Sequence, residues 1–560
     1  MKYSSWIGIL LMIVFSSIMM FAQNSYLNWF IHGGGPSNEV TRDVYVDNFG
    51  FIYSVSEVTD TTTFADTTFV ANFADVCITK FNPQGDVLWI RLDGGTGLDR
   101  GLDIITDSND DIIVTGFFSG IADFGDSTLV SSGFSDVFVA KYNSNGVFQW
   151  VVHGAGPDHD ESFCVTVDNL NNIYFGGFFE NSLQLGTYNL ISTGTYETLF
   201  YSKISSNGDV LWAEQAYNLD FSESIVESIC FDGFDIVMTG SFDDTMVFQG
   251  DTLYSYDESY DVFIAKVDIT GNKVWIKQAG GNDDDGGRAI ISDGSGKIFI
   301  TGYFSQTANF GTFQLTSLLS SNDVFIAALN SNGNFIWVNQ ASGPSNEYPT
   351  SISYNSSNGL SICGTTTGDF IVGNLNYSGN GTEDIFAVNY STDGNLVNVL
   401  HTGGIGEERI YDIYLDDNNS AYIVGLFYGS LVIDDSTITA STILSDLYIS
   451  KINFNNISDI NSDFSNVLLS DYTLYQNFPN PFNPTTKISW RSAVGNWHTL
   501  KVYDVLGNQI ATLFDEYKPA GFHEVEFNPA LISKNLATGI YFYQLSAGKF
   551  VETKKMLYLK

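Results

Sequence analysis

The sequence predicts an all-β repeat fold, and three observations carry that reading. One β-hairpin design returns seven times, its tryptophan recurs at a near-constant spacing, and no long stretch shows the 3.6-residue apolar period of an amphipathic helix. The hairpin is clearest at 136–150, DVFVAKYNSNGVFQW, where alternating residues, a polar Asn-Ser-Asn-Gly turn and a second alternating run end in Trp150. It returns as DVCITKFNPQGDVLW (75–89), DVFIAKVDITGNKVW (261–275) and DVFIAALNSNGNFIW (323–337), and in divergent form at 198–212, 384–398 and 446–454. Trp29, Trp89, Trp150, Trp212, Trp275 and Trp337 are separated by 60, 61, 62, 63 and 62 residues, and Asn398 takes the next place. The 44 Phe and 30 Tyr beside 53 Gly, with 16% charged residues, suit aromatic-rich strands joined by tight turns.

Taken in order, residues 1–22 have a basic start at Lys2, an apolar core from Trp6 to Phe21 and then Ala22-Gln23. This is the pattern of a secretory signal peptide cleaved after Ala22, since the apolar run is short for a spanning helix of about 20 residues. Residues 23–455 hold the repeats. One unit shows four strand signals, LDIITD (102–107), DIIVTGFF (111–118), DVFVAKY (136–142) and VFQWVVH (147–153), with an excursion between the second and third that carries an extra hairpin. Four antiparallel strands repeated seven times is the plan of a seven-bladed β-propeller, because a blade cannot bury both faces alone. The chain enters with one outer-strand signal, 26–32, and leaves the repeats after a third-strand signal, 446–454. The two are expected to pair and complete the last blade. The recurring tryptophan is read as packing between blades, and the recurring Lys80, Lys141, Lys203, Lys266 and Lys451 as bound to a structural partner. Residues 456–470 lose the pattern and read as a linker, and 471–560 form a separate module.

The unit resembles the seven-bladed β-propeller repeat family of exported bacterial proteins, whose consensus G-x-D…D-x-x-G-N-x-Y-V-T-G-x-F…D-F-G…D-x-F-V-A-K-Y-x-x-x-G is followed closely by 99–146. Thr198 for the hairpin aspartate, Ala328 and Asn389 for the lysine and Asn398 for the tryptophan depart from it, so the third and sixth blades are expected to be less regular. The family implies fold and extracellular setting, and no activity. The tail resembles the C-terminal sorting domain of the type nine secretion system. The motif residues are Asn480, Pro481, Phe482, Asn483 and Pro484, then Gly539 and Tyr541, and the Lys-rich last strand with Lys554, Lys555 and Lys560. That resemblance implies a small immunoglobulin-like β-sandwich, the secretion machinery as partner, and secretion or display on the outer surface of a Gram-negative cell.

Composition narrows the partners. The chain has 64 Asp and Glu against 23 Lys and Arg, a net charge of −41, and residues 456–560 are neutral with nine of each. The excess acid therefore lies on the repeats and repels phosphate backbones, which need clustered Lys and Arg, so nucleic acid is not an expected partner. Cys77, Cys164, Cys230 and Cys363 each sit in an apolar run and read as buried thiols, not as zinc ligands or a disulfide framework.

Motifs for catalysis are missing. The sequence contains no G-x-S-x-G and no His-Glu-x-x-His, and the Gly-rich segments leave strands without opening a helix. His32, His153 and His401 stand three residues after the tryptophan or its replacement, spread around the rim, too far apart for one metal. One constellation remains. Ten or eleven residues after each tryptophan position stands an acid: Glu39, Asp99, Asp160 with Glu161, Glu223, Asp285, Glu347 and Glu408, with Asp283 beside Asp285. Their loops are expected on the face that carries the excursions, with side chains near the axial mouth. They are the metal-site candidates, for a divalent cation and calcium first, because clustered carboxylates repel one another until a hard cation with 6–8 oxygen ligands joins them. The other reading is that each acid accepts hydrogen bonds from the N–H groups of its own Gly-rich loop. The function expected is a non-catalytic binding, adhesion or scaffold module with an unknown glycan or protein ligand. The alternative is an extracellular hydrolase, lyase or quinone-dependent oxidoreductase on the acidic loop face.

Overall fold

The computed structural model describes residues 26–64, 67–194, 196–219, 221–379, 381–404, 406–456, 473–477, 479–492, 496–518, 521–529, 536–547 and 550–559. The signal peptide, residues 457–470 of the linker and Lys560 lie outside them. Strands dominate, as the hairpin pattern requires. The chain forms two compact units, Met1–Asp459 and Ile460–Lys560. No helix among the described residues is long and apolar enough to cross a membrane.

In the first unit the strand pairings contain seven antiparallel four-stranded sheets, which short edge pairings join in places into larger ones of up to ten strands. Six are contiguous in sequence; the second, for example, runs Arg100–Thr106, Ile112–Phe118, Asp136–Tyr142 and Phe148–Ala155. The seventh takes Glu408–Leu415, Ser420–Phe427 and Asp446–Asn453 from the end of the repeats and Leu27–Gly34 from their beginning. Leu27–Gly34 lies antiparallel to Asp446–Asn453, with Trp29 opposite Lys451 and His32 opposite Tyr448. The first strand of each sheet touches the first strand of the next, and Val40–Val46 touches Glu408–Leu415, so the sheets close into a propeller-like ring.

Two devices join neighbouring sheets. The excursion hairpins reach back to the last strand of the preceding sheet, as when Gly94 pairs with Asp123 and Gly280 with Asn309. The tryptophans are the second. Trp150 Nε1 donates to Ser206 O at 3.2 Å, Trp275 Nε1 to Ser331 O at 3.0 Å and Trp337 Nε1 to Thr392 O at 3.1 Å, each in the turn of the next repeat. The turn glycine packs on the indole. Gly208, at φ +91°, would place a Cβ 3.0 Å from the Trp150 ring, so the turn needs glycine for its left-handed backbone and for this close approach. In the second sheet the second and third strands are buried along their whole length, and the core is a set of aromatic and β-branched clusters between sheets.

The second unit is a pair of small sheets around buried Trp490. One holds Thr473–Leu474, Thr486–Ser492 and Gly521–Phe527; the other holds Gln509–Lys518, Asn496–Tyr503, Gly539–Ala547 and Phe550–Tyr558.

Candidate functional site

The ring encloses an axial channel lined by the first strand of every sheet. Each of these strands carries a β-bulge, and the residues just past the seven bulges are Asp43, Asp103, Cys164, Ser228, Ala289, Ser351 and Asp412. A bulge re-aims side chains, and here several of them reach the next sheet. Asp412 Oδ2 accepts from Val44 N at 3.1 Å, Asp43 Oδ2 from Ile104 N at 2.6 Å, and Asp103 Oδ2 from Val165 N at 2.7 Å. Three carboxyl groups from the seventh, first and second sheets thus stand side by side, and Asp43 hydrogen-bonds to both neighbours. Burial, then the adjacent carboxyls, hold Asp43 and Asp412 well above the usual carboxylate range; burial brings Asp103 to about 6. They line a cavity of about 170 Å³ with Arg42, Glu227, Arg288 and Tyr411. No motif in the sequence marks these aspartates, although Asp43, Asp103 and Asp412 each follow a tryptophan position by fourteen residues.

Around the mouth the scarce arginines converge. Arg42 and Arg100 share Glu57 at 3.1 and 2.7 Å, Arg288 pairs with Glu227, and Arg409 pairs with Glu383 at 2.6 Å and Glu407 at 2.9 Å. The third and fourth sheets bring more acids than bases, with Arg288, Arg100 and His159 acting on them. Glu197 is raised to about 7 by burial first and then by Glu223, Glu180, Glu161 and Glu227. Tyr260 donates to Glu223, and Glu161 accepts from Ser135 Oγ at 3.4 Å. Exposed rings flank this sector, with Phe134 stacked on His159 at 5.0 Å and Tyr196 beside Phe221 at 6.1 Å.

The acids singled out as cation candidates are not gathered at the mouth, which corrects that expectation. Glu39, Asp99, Asp160, Asp285, Glu347 and Glu408 are fully buried at six separate junctions between sheets. Five of them face an acid in the third strand of the preceding sheet, 24 residues earlier: Asp75, Asp136, Asp261, Asp323 and Asp384. Glu39 faces Asp446 across the closure. The loop-staple contacts are present, as Asp99 Oδ2 accepts from Gly95 N at 2.7 Å and Oδ1 from Ser119 N at 3.2 Å, and Asp285 accepts from Gly281 N and Ser305 N at 2.6 and 3.1 Å. Among the described residues no three His, Cys, Asp or Glu side chains form a group able to hold a metal ion. Glu223 is also out of register. Ser224, pairing with Phe242, occupies the place that Asp160 holds opposite Phe179, because the third repeat has two more residues after its tryptophan. A one-residue offset in a strand turns the side chain to the other face, so Glu223, like Glu161, looks toward the mouth. Asp283 is in the neighbourhood of Asp285 and adds to its rise.

The recurring lysines have partners that the sequence left unnamed. Lys141 reaches Asp107 at 2.7 Å and Lys266 reaches Asp232 at 2.6 Å, with Lys451 near Asp416 at 3.3 Å, all in the turn after the first strand. The rim histidines bind the third-strand acid: His32 Nδ1 lies 2.9 Å from Asp446 and His153 Nε2 2.6 Å from Asp136. Gln278 and Gln340 fill that role at 2.6 Å on Asp261 and Asp323. Thr198 keeps the register of the aspartate it replaces, so the third sheet is regular and only its junction differs. The four cysteines are buried free thiols.

In the second unit the Asn-Pro-Phe-Asn-Pro element docks on the last strand. Phe482 is buried and bridges Tyr558, its N–H donates to Leu557 O at 3.0 Å, and Leu557 N donates to Asn480 Oδ1 at 2.8 Å. Pro481, Asn483 and Pro484 are exposed, as is Lys555, while Tyr541 OH donates to Ala537 O at 2.8 Å.

Residues 476–558 match the model of the secretion system C-terminal sorting domain, in agreement with the motif reading. A curated relative, an uncharacterized WD repeat-containing protein of Acanthamoeba polyphaga mimivirus, is 26% identical over 442 residues, or 63% of this chain. The chain spans about 31% of the length of that relative. Among solved structures, a puromycin hydrolase mutant covers 70% of this chain and 58% of its own at 9% identity and a TM-score of 0.32. Dimeric latent PorU from Porphyromonas gingivalis covers 71% and 32% at 9% identity and a TM-score of 0.16.

Proposed function

We propose that this protein is an exported seven-bladed β-propeller that acts as a non-catalytic binding or adhesion module, secreted or held on the outer surface of a Gram-negative cell. The sorting domain supports the export route and makes the type nine machinery the partner of residues 471–560. The hairpin repeats and the seven four-stranded sheets support assignment to the repeat family. One observation carries the binding role. The repeats spend their recurring acids, lysines and tryptophans on contacts between and within sheets, whereas the mouth at the third and fourth sheets breaks the symmetry with Glu161, Glu180, Glu197 and Glu223 beside exposed Phe134 and Phe221. Aromatic faces next to carboxylates suit the apolar faces and hydroxyls of a glycan, or the basic and aromatic side chains of a protein. Glycan and protein arrays probed with the whole chain test this. A retained ligand whose binding is lost in Phe134→Ala and Phe221→Ala, with unfolding unchanged, is the expected result; binding indifferent to both would refute it.

A second reading rests on Glu197, whose carboxyl is held near 7 among other glutamates, the pairing of acid and base that a hydrolase or lyase uses. Turnover of a captured ligand that is lost in Glu197→Gln would select it.

A further inference from the structure

Six of the seven junctions bury two carboxyl groups face to face, and at three of them, those of Asp446, Asp136 and Asp261, the same gap in the hydrogen bonding recurs. Asp446 Oδ2 accepts from His32 Nδ1 at 2.9 Å and from Ser441 N and Oγ at 2.9 and 2.8 Å, yet its Oδ1 is buried with no donor. Across from it, Glu39 Oε1 accepts from Thr62 Oγ1 at 3.2 Å and Oε2 has none. Asp136 and Asp261 repeat the arrangement, with two donors on Oδ2 and none on Oδ1. The pairs meet over a glycine: a Cβ at Gly280 would lie 2.0 Å from Asp261 Oδ1 and 2.9 Å from Asp285 Oδ2. Two ionised carboxylates in so tight a buried space repel strongly, and N–H groups, which disfavour a cation, line the remaining sides.

The seventh junction supplies the control. Both acids are replaced together there, by Thr198 and Ser224. Ser224 Oγ donates to Asn218 Oδ1 at 2.9 Å and accepts from Leu199 N at 3.1 Å, and no oxygen of this set is left unpaired. A neutral hydroxyl is thus what the head of the first strand holds where no carboxyl is present.

We propose that each carboxyl pair binds one proton, carried by the acid at the head of the first strand and, at Asp446, Asp136 and Asp261, donated to the unpaired oxygen of the third-strand aspartate, so that the ring is held closed by protons and loosens in alkali. Burial, the largest cause at every site, raises Glu39 and Asp285 to about 8, Asp160 to about 9, Glu347 to about 10, and Asp99 and Glu408 to about 7. The charged groups facing them are mostly acids. Asp446 and Asp60 face Glu39, Asp75 faces Asp99, and Asp136, Glu180 and Asp158 face Asp160. Asp261 and Asp283 face Asp285, Asp323 faces Glu347, and Asp384 and Glu407 face Glu408. His32, His153 and His401 stand behind Asp446, Asp136 and Asp384. Folded values above the unfolded ones of about 4 mean that each site's stability is complete below about pH 4 and is lost as pH rises through its folded value.

Infrared spectra and urea unfolding of the whole chain test the proposal, with Glu347→Gln and Asp285→Asn, which keep a donor in place of the acid. At neutral pH the folded wild type should show the carbonyl band of neutral carboxylic acids, weakened in each variant. Its unfolding midpoint should fall from neutral pH toward pH 10, and less steeply in the double variant. Unfolding at neutral pH should release about four protons from the four junctions with the highest values, besides those of Asp43 and Asp412, and about two fewer in the double variant. Absence of the band, a midpoint indifferent to pH, or unfolding without proton release would each overturn the proposal. So would calcium that raises the midpoint while removing the band, since a cation would then sit between the acids.

Discussion

Replacing Phe30 with alanine tests the closure of the ring through a single side chain. Phe30 is 6% exposed, stacked on Tyr448 at 5.7 Å and edge-on to Phe427 at 6.2 Å, so it fastens Leu27–Gly34 to the sheet that the end of the repeats leaves one strand short. Burying such a ring is worth about 1.5–3 kcal/mol by transfer, and the cavity left in a packed core brings Phe→Ala to about 3–5 kcal/mol. Phe49, in the turn after the first strand of the first sheet, is 71% exposed and is the matched control, with an expected cost within about 0.5 kcal/mol. Urea unfolding followed by tryptophan fluorescence reads both. Limited proteolysis should also cut the Phe30→Ala variant within 26–34 first, because the loosened strand leaves Asp446–Asn453 as an open edge. Equal midpoints for Phe30→Ala and Phe49→Ala would refute closure by the N-terminal strand.

Lys141→Ala leaves Asp107 buried without its 2.7 Å partner and should cost about 3–5 kcal/mol by the same urea assay. Trp275→Phe removes the 3.0 Å bond to Ser331 O while keeping the ring under its turn, an expected loss of about 0.5–1.5 kcal/mol. Asp103→Asn keeps an acceptor for Val165 N but no longer titrates. Because the Asp103 value is raised to about 6, its stabilising share is complete at low pH and lost as pH rises through 6, so the variant should show a flatter midpoint between pH 4 and about pH 7. Deleting 471–560 should leave a folded ring that accumulates in the periplasm, measured by cell fractionation; normal amounts at the surface would refute the sorting role.

Much of the fold is legible because its signals are local. The turn of 142–147, the alternation on either side and the tryptophan spacing all lie within one hairpin or one repeat, and strand boundaries such as 136–142 follow directly. The sorting motif is similarly local, since Asn480 and Phe482 act through main-chain contacts to the last strand of the same unit. The site is less legible. Asp43, Asp103 and Asp412 look like ordinary polar positions of an alternating strand until a bulge turns them to the channel and the ring sets three sheets side by side.

The sequence by itself determined that four-strand units recur, that they are exported through a recognisable tail, and that acids recur at each junction. Tertiary structure alone decided what those acids do. Ten residues after a tryptophan is the place where a loop meets a strand, and whether it faces solvent or a second carboxyl depends on a contact 24 residues away, or between Glu39 and Asp446 at opposite ends of the repeats. A two-residue insertion hands the place of Glu223 to Ser224, and strand alternation then sends the glutamate to the mouth and the serine to the core. Repeats fix what is periodic along the chain; the closing of the ring fixes which periodic positions meet, and burial then decides their charge.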